Sequence, residues 1–119
     1  MKLWIDDVRE APNGYVRCKS VNEAIATIIT SEGRNSNKPT PVTEIFPDIN
    51  WNIELIDIDH DAGDYASDGG DYIKLLDWLE ETGRNYPIRI HSMNPVGVQN
   101  MRNIIQRNNW KEIPFEGFD

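Results

Sequence analysis

Apolar residues along this chain come in short runs that alternate with stretches of helical spacing, and acids or other polar groups close each run. Leu3-Trp4-Ile5 stops at Asp6-Asp7, and Pro12, Asn13 and Gly14 then supply a turn, so the N-terminus reads as a strand with acids at its carboxyl end. From Ser20 to Glu23 the residues form a capping box, in which the serine hydroxyl and the glutamate side chain satisfy exposed backbone N–H groups. Behind it Val21, Ala24, Ile25, Ile28 and Ile29 recur at helical spacing, with Gly33 placed to end the helix. Ile53 to Asp59 carries apolar residues on both parities, as a strand covered on both faces does. Tyr72, Leu75, Leu76 and Leu79 mark an amphipathic helix closed by Gly83. Pro87 to His91 predicts a third strand. Asn94-Pro95 fits a cap followed by proline in the first turn of a helix whose buried stripe is Val98, Met101, Ile104 and Ile105. Between positions 34 and 52 stand Pro39, Pro41 and Pro47 among many Asn, Ser and Thr, which predicts a long loop with room for one short strand at Val42 to Phe46. The tail, WKEIPFEGFD, either adds a last edge strand or packs Trp110, Phe115 and Phe118 against the sheet.

The order β-α-loop-β-α-β-α predicts an α/β fold: a parallel sheet with helices on both faces, three layers deep. In such sheets ligands bind at the carboxyl ends of the strands. That rule gives the polar clusters one address. Asp6 and Asp7, then Asp59 to Asp61, then His91 to Asn94, each follow a different predicted strand.

Composition narrows the functions this edge can serve. The 119 residues make one domain, 1–119, with the 34–52 loop as an insertion. A formal charge of −8 excludes an extended nucleic-acid footprint, which needs a basic face, and leaves room for a small anionic ligand or a metal. Cys18 is the only cysteine, so neither a disulfide framework nor a cysteine-based zinc site is available. No stretch has the length or apolarity of a signal or membrane segment, and the expectation is a soluble, cytoplasmic domain without a membrane partner.

Carboxylates gathered at one edge repel one another unless a cation sits among them, and a hard ion such as Mg²⁺ or Mn²⁺ is the economical answer. Asp57, Asp59, Asp61 and Asp68 loosely match a calcium loop, but its required glycine would fall at Ala62, and the segment before it reads as a strand. His60, between two acids, suits an acid catalyst or an ion-paired loop residue. His91, at the ligand edge, reads as a general acid or base in preference to a satisfied core histidine. Arg9 receives a phosphate or pairs with Asp7. No glycine-flanked elbow surrounds Ser92, which excludes a serine hydrolase.

The stretches MKLWIDDVREAPNGY, IDIDHDAG, GGDYIKLLDWLEE and PIRIHSMNPVGVQNM together resemble the cyclic-phosphate processing receiver domain family, a relative of two-component receiver domains associated with RNA repair and nucleotide processing. The resemblance implies a receiver-like (flavodoxin-like) fold, with Asp6 and Asp7 as the metal-binding acid pair and Asp59 where a receiver carries its phosphoacceptor. It further implies that His60, Asp61, His91, Ser92 and Asn94 are the residues that set this family apart from ordinary receivers, Ser92 and Asn94 on the substrate. The chain departs from the pattern at Ala62, where leucine is usual, and lacks the Lys-Pro pair with which receivers hold a phosphoryl group; Lys111 and Pro114 have the wrong spacing.

Two functions follow from these expectations. One is a metal-dependent phosphoesterase acting on a cyclic-phosphate nucleotide or RNA end, with Asp6, Asp7 and Asp59 on the metal, Arg9 on the phosphate, and His91 or His60, beside Asp61, moving the proton. The other is a non-enzymatic signalling or nucleotide-binding module with Asp59 as phosphoacceptor.

Overall fold

The computed structural model describes residues 1–34 and 52–116. The loop expected at 34–52, with its short strand at Val42 to Phe46, and Phe118 lie outside the described residues, save the loop's two ends. Four parallel strands, β1 (Lys2–Ile5), β2 (Tyr15–Cys18), β3 (Leu55–Ile58) and β4 (Ile88–Ile90), form one sheet in the order β2-β1-β3-β4. Among the described residues three helices, α1 (Val21–Arg34), α2 (Ile73–Glu81) and α3 (Pro95–Arg107), accompany them, with a short 3-10 turn at Gly63–Ser67. The receiver-like parallel α/β sheet expected from the alternation of runs is therefore present, in a four-strand form.

One strand is additional. Tyr15–Cys18 carries no apolar run, and only Cys18 in it is buried, because β2 is an edge strand held by its pairing to β1. The link from β1 to β2, residues 6–14, contains no helix, although parallel neighbours ordinarily need a helical crossover. The acid pair sits at the start of this short link, which closes over Trp4: the indole Nε1 donates to the Arg9 carbonyl at 3.0 Å.

Register sorts the strand residues onto two unlike faces. Leu3 stands opposite Ile56 and Ile5 opposite Ile58, with Ile88 and Ile90 next in the same rows. These residues share one core with Val21, Ala24 and Ile28 of α1, Leu75, Leu76 and Leu79 of α2, and Met101, Ile104 and Ile105 of α3. Both crossovers, β2 to β3 and β3 to β4, step in the same direction across the sheet, and right-handed connections of that kind put their helices on one side. α2 packs against both α1 and α3. Of the helical layers expected on both faces, all three described helices thus line one. The opposite parity carries Trp4, Asp57 and Arg89 in a row, roofed by the 6–14 link and by the C-terminal segment. That segment runs beside β4, where Ile88 donates to Lys111 at 2.9 Å and Ile113 donates back to Ile88 at 2.8 Å. It also brings the Phe115 ring to 6.1 Å from His91 and buries Trp110 in the core.

The predicted helix ends are found with small shifts. Ser20 Oγ accepts from the Glu23 N–H at 3.0 Å, while the Glu23 carboxylate reaches back to the Lys19 N–H at 3.2 Å, one residue before the usual partner. α1 runs one residue past Gly33. Gly83, at φ +69°, follows α2, and Asn94 Oδ1 caps α3 by accepting from the Gly97 N–H at 3.0 Å. No described helix is long and apolar enough to cross a membrane.

Candidate functional site

β1 and β3 are neighbours with Ile5 opposite Ile58, so the residues that follow them, Asp6 and Asp59, emerge side by side at the carboxyl edge of the sheet. The Asp59 N–H extends the ladder by donating to the Ile5 carbonyl at 2.9 Å. As a result one carboxylate oxygen from each of Asp6, Asp7 and Asp59 lies within 4.8 Å of the other two. Asp6 is wholly buried, and both of its oxygens are engaged: Oδ1 accepts from the N–H groups of Val8 (2.9 Å) and Arg9 (3.0 Å), and Oδ2 accepts from His91. Burial works to raise its pKa, but the His91 hydrogen bond and the two backbone donors prevail and hold it below the usual carboxylate value. Asp59 behaves oppositely: burial, with the Asp6 charge added, raises its pKa. Arg9 Nη1 stands 3.9 Å from Asp6 and 3.9 Å from Asp59. Three oxygen donors of like charge at this spacing form the donor set that a hard divalent cation takes.

Two contacts hold the acid pair in place. Arg17, from β2, donates to the Asp7 carbonyl at 3.1 Å and to the Asp6 carbonyl at 3.4 Å, so the added strand braces the backbone that bears the acids. Gly63, at φ +56°, passes so close to Asp7 that any side chain there would overlap the Asp7 carboxylate.

His91, which its position at the ligand edge marks as a general acid or base in the sequence, is fully buried in the structure. Its Nδ1 lies 2.6 Å from Asp57 Oδ1 and its Nε2 lies 3.0 Å from Asp6 Oδ2, while Trp4 stacks on its face at 3.8 Å between centroids and 4° between planes. Burial works to lower its pKa; the hydrogen bonds to the two carboxylates outweigh this and raise it. Asp57 in turn accepts from Arg89 Nε at 2.7 Å and from its Nη2, and Arg89 also donates to the Tyr15 hydroxyl at 2.7 Å. Neither Asp57 nor Arg89 figured among the site residues read from sequence. A signal was available: a charged residue flanked by isoleucines, in LIDI and in IRI, has to find a partner once the strand is buried.

The other predicted residues gather beside this cluster. The His60 ring lies against Gly97 in the first turn of α3, with Nδ1 2.8 Å from Asp61 Oδ1, and Nε2 has no partner among the described residues. Asp61 is largely exposed and touches the site through His60. Ser92 Oγ accepts from the Asn94 N–H at 3.1 Å, and its hydroxyl works weakly against the rise in the Asp59 pKa. The Asn94 carbonyl oxygen is committed to capping α3. The calcium-loop spacing is dispersed, as its missing glycine predicted: Asp57 turns to Arg89 and His91, and Asp68 accepts from Ser20 at 2.6 Å and Asn22 at 3.0 Å.

A parallel α/β sheet with an acid pair behind its first strand and a third acid behind the adjacent strand is the arrangement of a receiver domain. The chain matches the cyclic-phosphate processing receiver domain family over residues 1–107 and belongs to that family. Searches of curated proteins and of solved structures found no match.

Proposed function

We propose that this domain is a metal-dependent phosphoesterase that opens a cyclic phosphate on a nucleotide or an RNA end. The observation that carries the reading is the convergence of Asp6, Asp7 and Asp59 within 4.8 Å, with the Arg9 guanidinium beside them. These acids would hold Mg²⁺ or Mn²⁺, and the ion would supply a Lewis acid for a phosphoryl oxygen and lower the pKa of a bound water. Arg9 offers a planar fork for the phosphate, in a site whose three acids would otherwise repel it. Ser92 contributes a hydroxyl and Asn94 its amide NH₂, since its oxygen is already used. In this reading His60 moves the proton: Asp61 fixes Nδ1, and Nε2 protonates the ester oxygen that departs when water attacks phosphorus. The product is a phosphomonoester. A small ligand, and no long nucleic-acid track, suits a chain of net charge −8. Cys18, the only cysteine, is free and buried, which suits a reducing cytoplasmic setting.

The test is incubation of purified protein with Mg²⁺ or Mn²⁺ and a panel of cyclic nucleotides and of RNA oligonucleotides with a cyclic-phosphate end. Conversion to the monoester, lost on Asp59→Asn and weakened through KM on Arg9→Gln, is the expected result. No turnover across the panel would overturn it. A second reading is favoured by the place of Asp59 directly after β3 with its side chain still 14% exposed: a non-enzymatic receiver phosphorylated on Asp59. Acetyl phosphate then produces a mass gain that Asp59→Asn abolishes.

A further inference from the structure

We infer that Arg89, Asp57 and His91 are positioning residues for the Asp6 carboxylate, an inference that rests on reading Asp6, Asp7 and Asp59 as a cation site. The row alternates in sign from guanidinium to carboxylate to imidazole to carboxylate, and it crosses the face of the sheet that bears none of the described helices, through residues of β4, β3 and the ends of β4 and β1. Both partners of His91 are carboxylate oxygens, which only accept, so both ring nitrogens donate. Rotation of the ring would break two hydrogen bonds and the stack on Trp4 together. Asp57 is held as firmly, since Arg89 approaches one of its oxygens with two nitrogens and is itself tied to Tyr15.

Stability alone does not account for such a row. Buried ion pairs contribute little net stability compared with apolar residues of the same volume, because both charges lose their hydration. What the row does achieve is geometric. Asp6 Oδ1 is already fixed by two backbone donors, and His91 fixes Oδ2, so the carboxylate nearest the core is clamped at both oxygens before any ion arrives. Partners that orient a metal ligand in this way typically change metal affinity by about 10–100-fold when removed.

The experiment measures Mn²⁺ binding by electron paramagnetic resonance and calorimetry on the whole chain. Wild type is expected to bind, Asp57→Asn and His91→Gln to bind about 10–100-fold more weakly, and Ile105→Val, which trims the core under α3 away from the row, to lower the Tm while leaving Mn²⁺ affinity unchanged. Nitrogen-15 spectra of the unmutated protein need no variant: the His91 ring shows two protonated nitrogens, and Mg²⁺ shifts Nε2. Wild-type binding with unchanged affinity in both row variants, or a His91 signal indifferent to Mg²⁺ in a protein that binds it, overturns the positioning role alone. Absence of Mn²⁺ binding by wild type overturns the cation site, and the inference with it.

Discussion

Gly97→Ala sets two effects of known size against each other. Gly97 lies in the first turn of α3 with ordinary helical backbone, where alanine in place of glycine stabilises by about 1 kcal/mol on propensity alone. Here a Cβ would stand 2.5 Å from His60 Cδ2 and 2.8 Å from Nδ1, and nearer still to Cγ, whereas ordinary contact begins at 3.4 Å. The ring would have to retreat by about 1 Å, a displacement that can cost on the order of 100-fold in rate when the group is catalytic. The His60 backbone is anchored, its N–H to Asp59 Oδ1 at 2.8 Å and its carbonyl to the Tyr72 N–H at 3.1 Å, so the side chain moves and its 2.8 Å bond to Asp61 is lost. Overpacking of this kind costs about 1–3 kcal/mol, which against the propensity gain leaves a net loss of about 0–2 kcal/mol. The expected variant is therefore folded, several degrees lower in Tm, and about 100-fold lower in kcat on a cyclic phosphate. Circular dichroism melts and steady-state kinetics measure both. A Gly97→Ala protein that is more stable than wild type and fully active would show that His60 does not rest on this turn or plays no part in turnover.

Gly63→Ala acts on the other side of the site: the new methyl overlaps the Asp7 carboxylate in a positive-φ position, so Mn²⁺ affinity falls, and calorimetry showing unchanged affinity would count against Asp7 as a ligand. Glu80 provides a pH test of surface electrostatics. Hydrogen bonds from Arg107 and Asn108 hold its pKa at about 2, below the 4.5 it has when free, so the pair contributes fully above pH 4.5 and loses that contribution as pH falls toward 2. Glu80→Gln should lower the Tm slightly at neutral pH and not at all near pH 2, with the difference also shrinking in high salt; a pH-independent difference would refute the assignment.

How far the molecule was legible varied with the range of the interactions concerned. The capping box at Ser20, the Asn94-Pro95 start of α3 and the stripes of the three helices could be read because each depends on residues within one or two turns. β2 was not legible, since an edge strand with one buried residue has no pattern of its own. The acids at the ligand edge were visible as strand terminators, while the row behind them was not: His91 meets its partners across 34 and 85 positions of chain.

The chain by itself determined the alternation of strands and helices, the acids behind β1 and β3, and the family to which the domain belongs. Only the tertiary structure decided which histidine is buried between carboxylates and which keeps a nitrogen without a partner among the described residues, and that the described helices share a single face of the sheet. The physical reason is that periodicity and capping act between near neighbours, whereas the environment of a charged side chain depends on the register of strands far apart in sequence. A one-residue change in that register would have exchanged the roles of Asp57 and Ile58, and with them the two faces of the sheet.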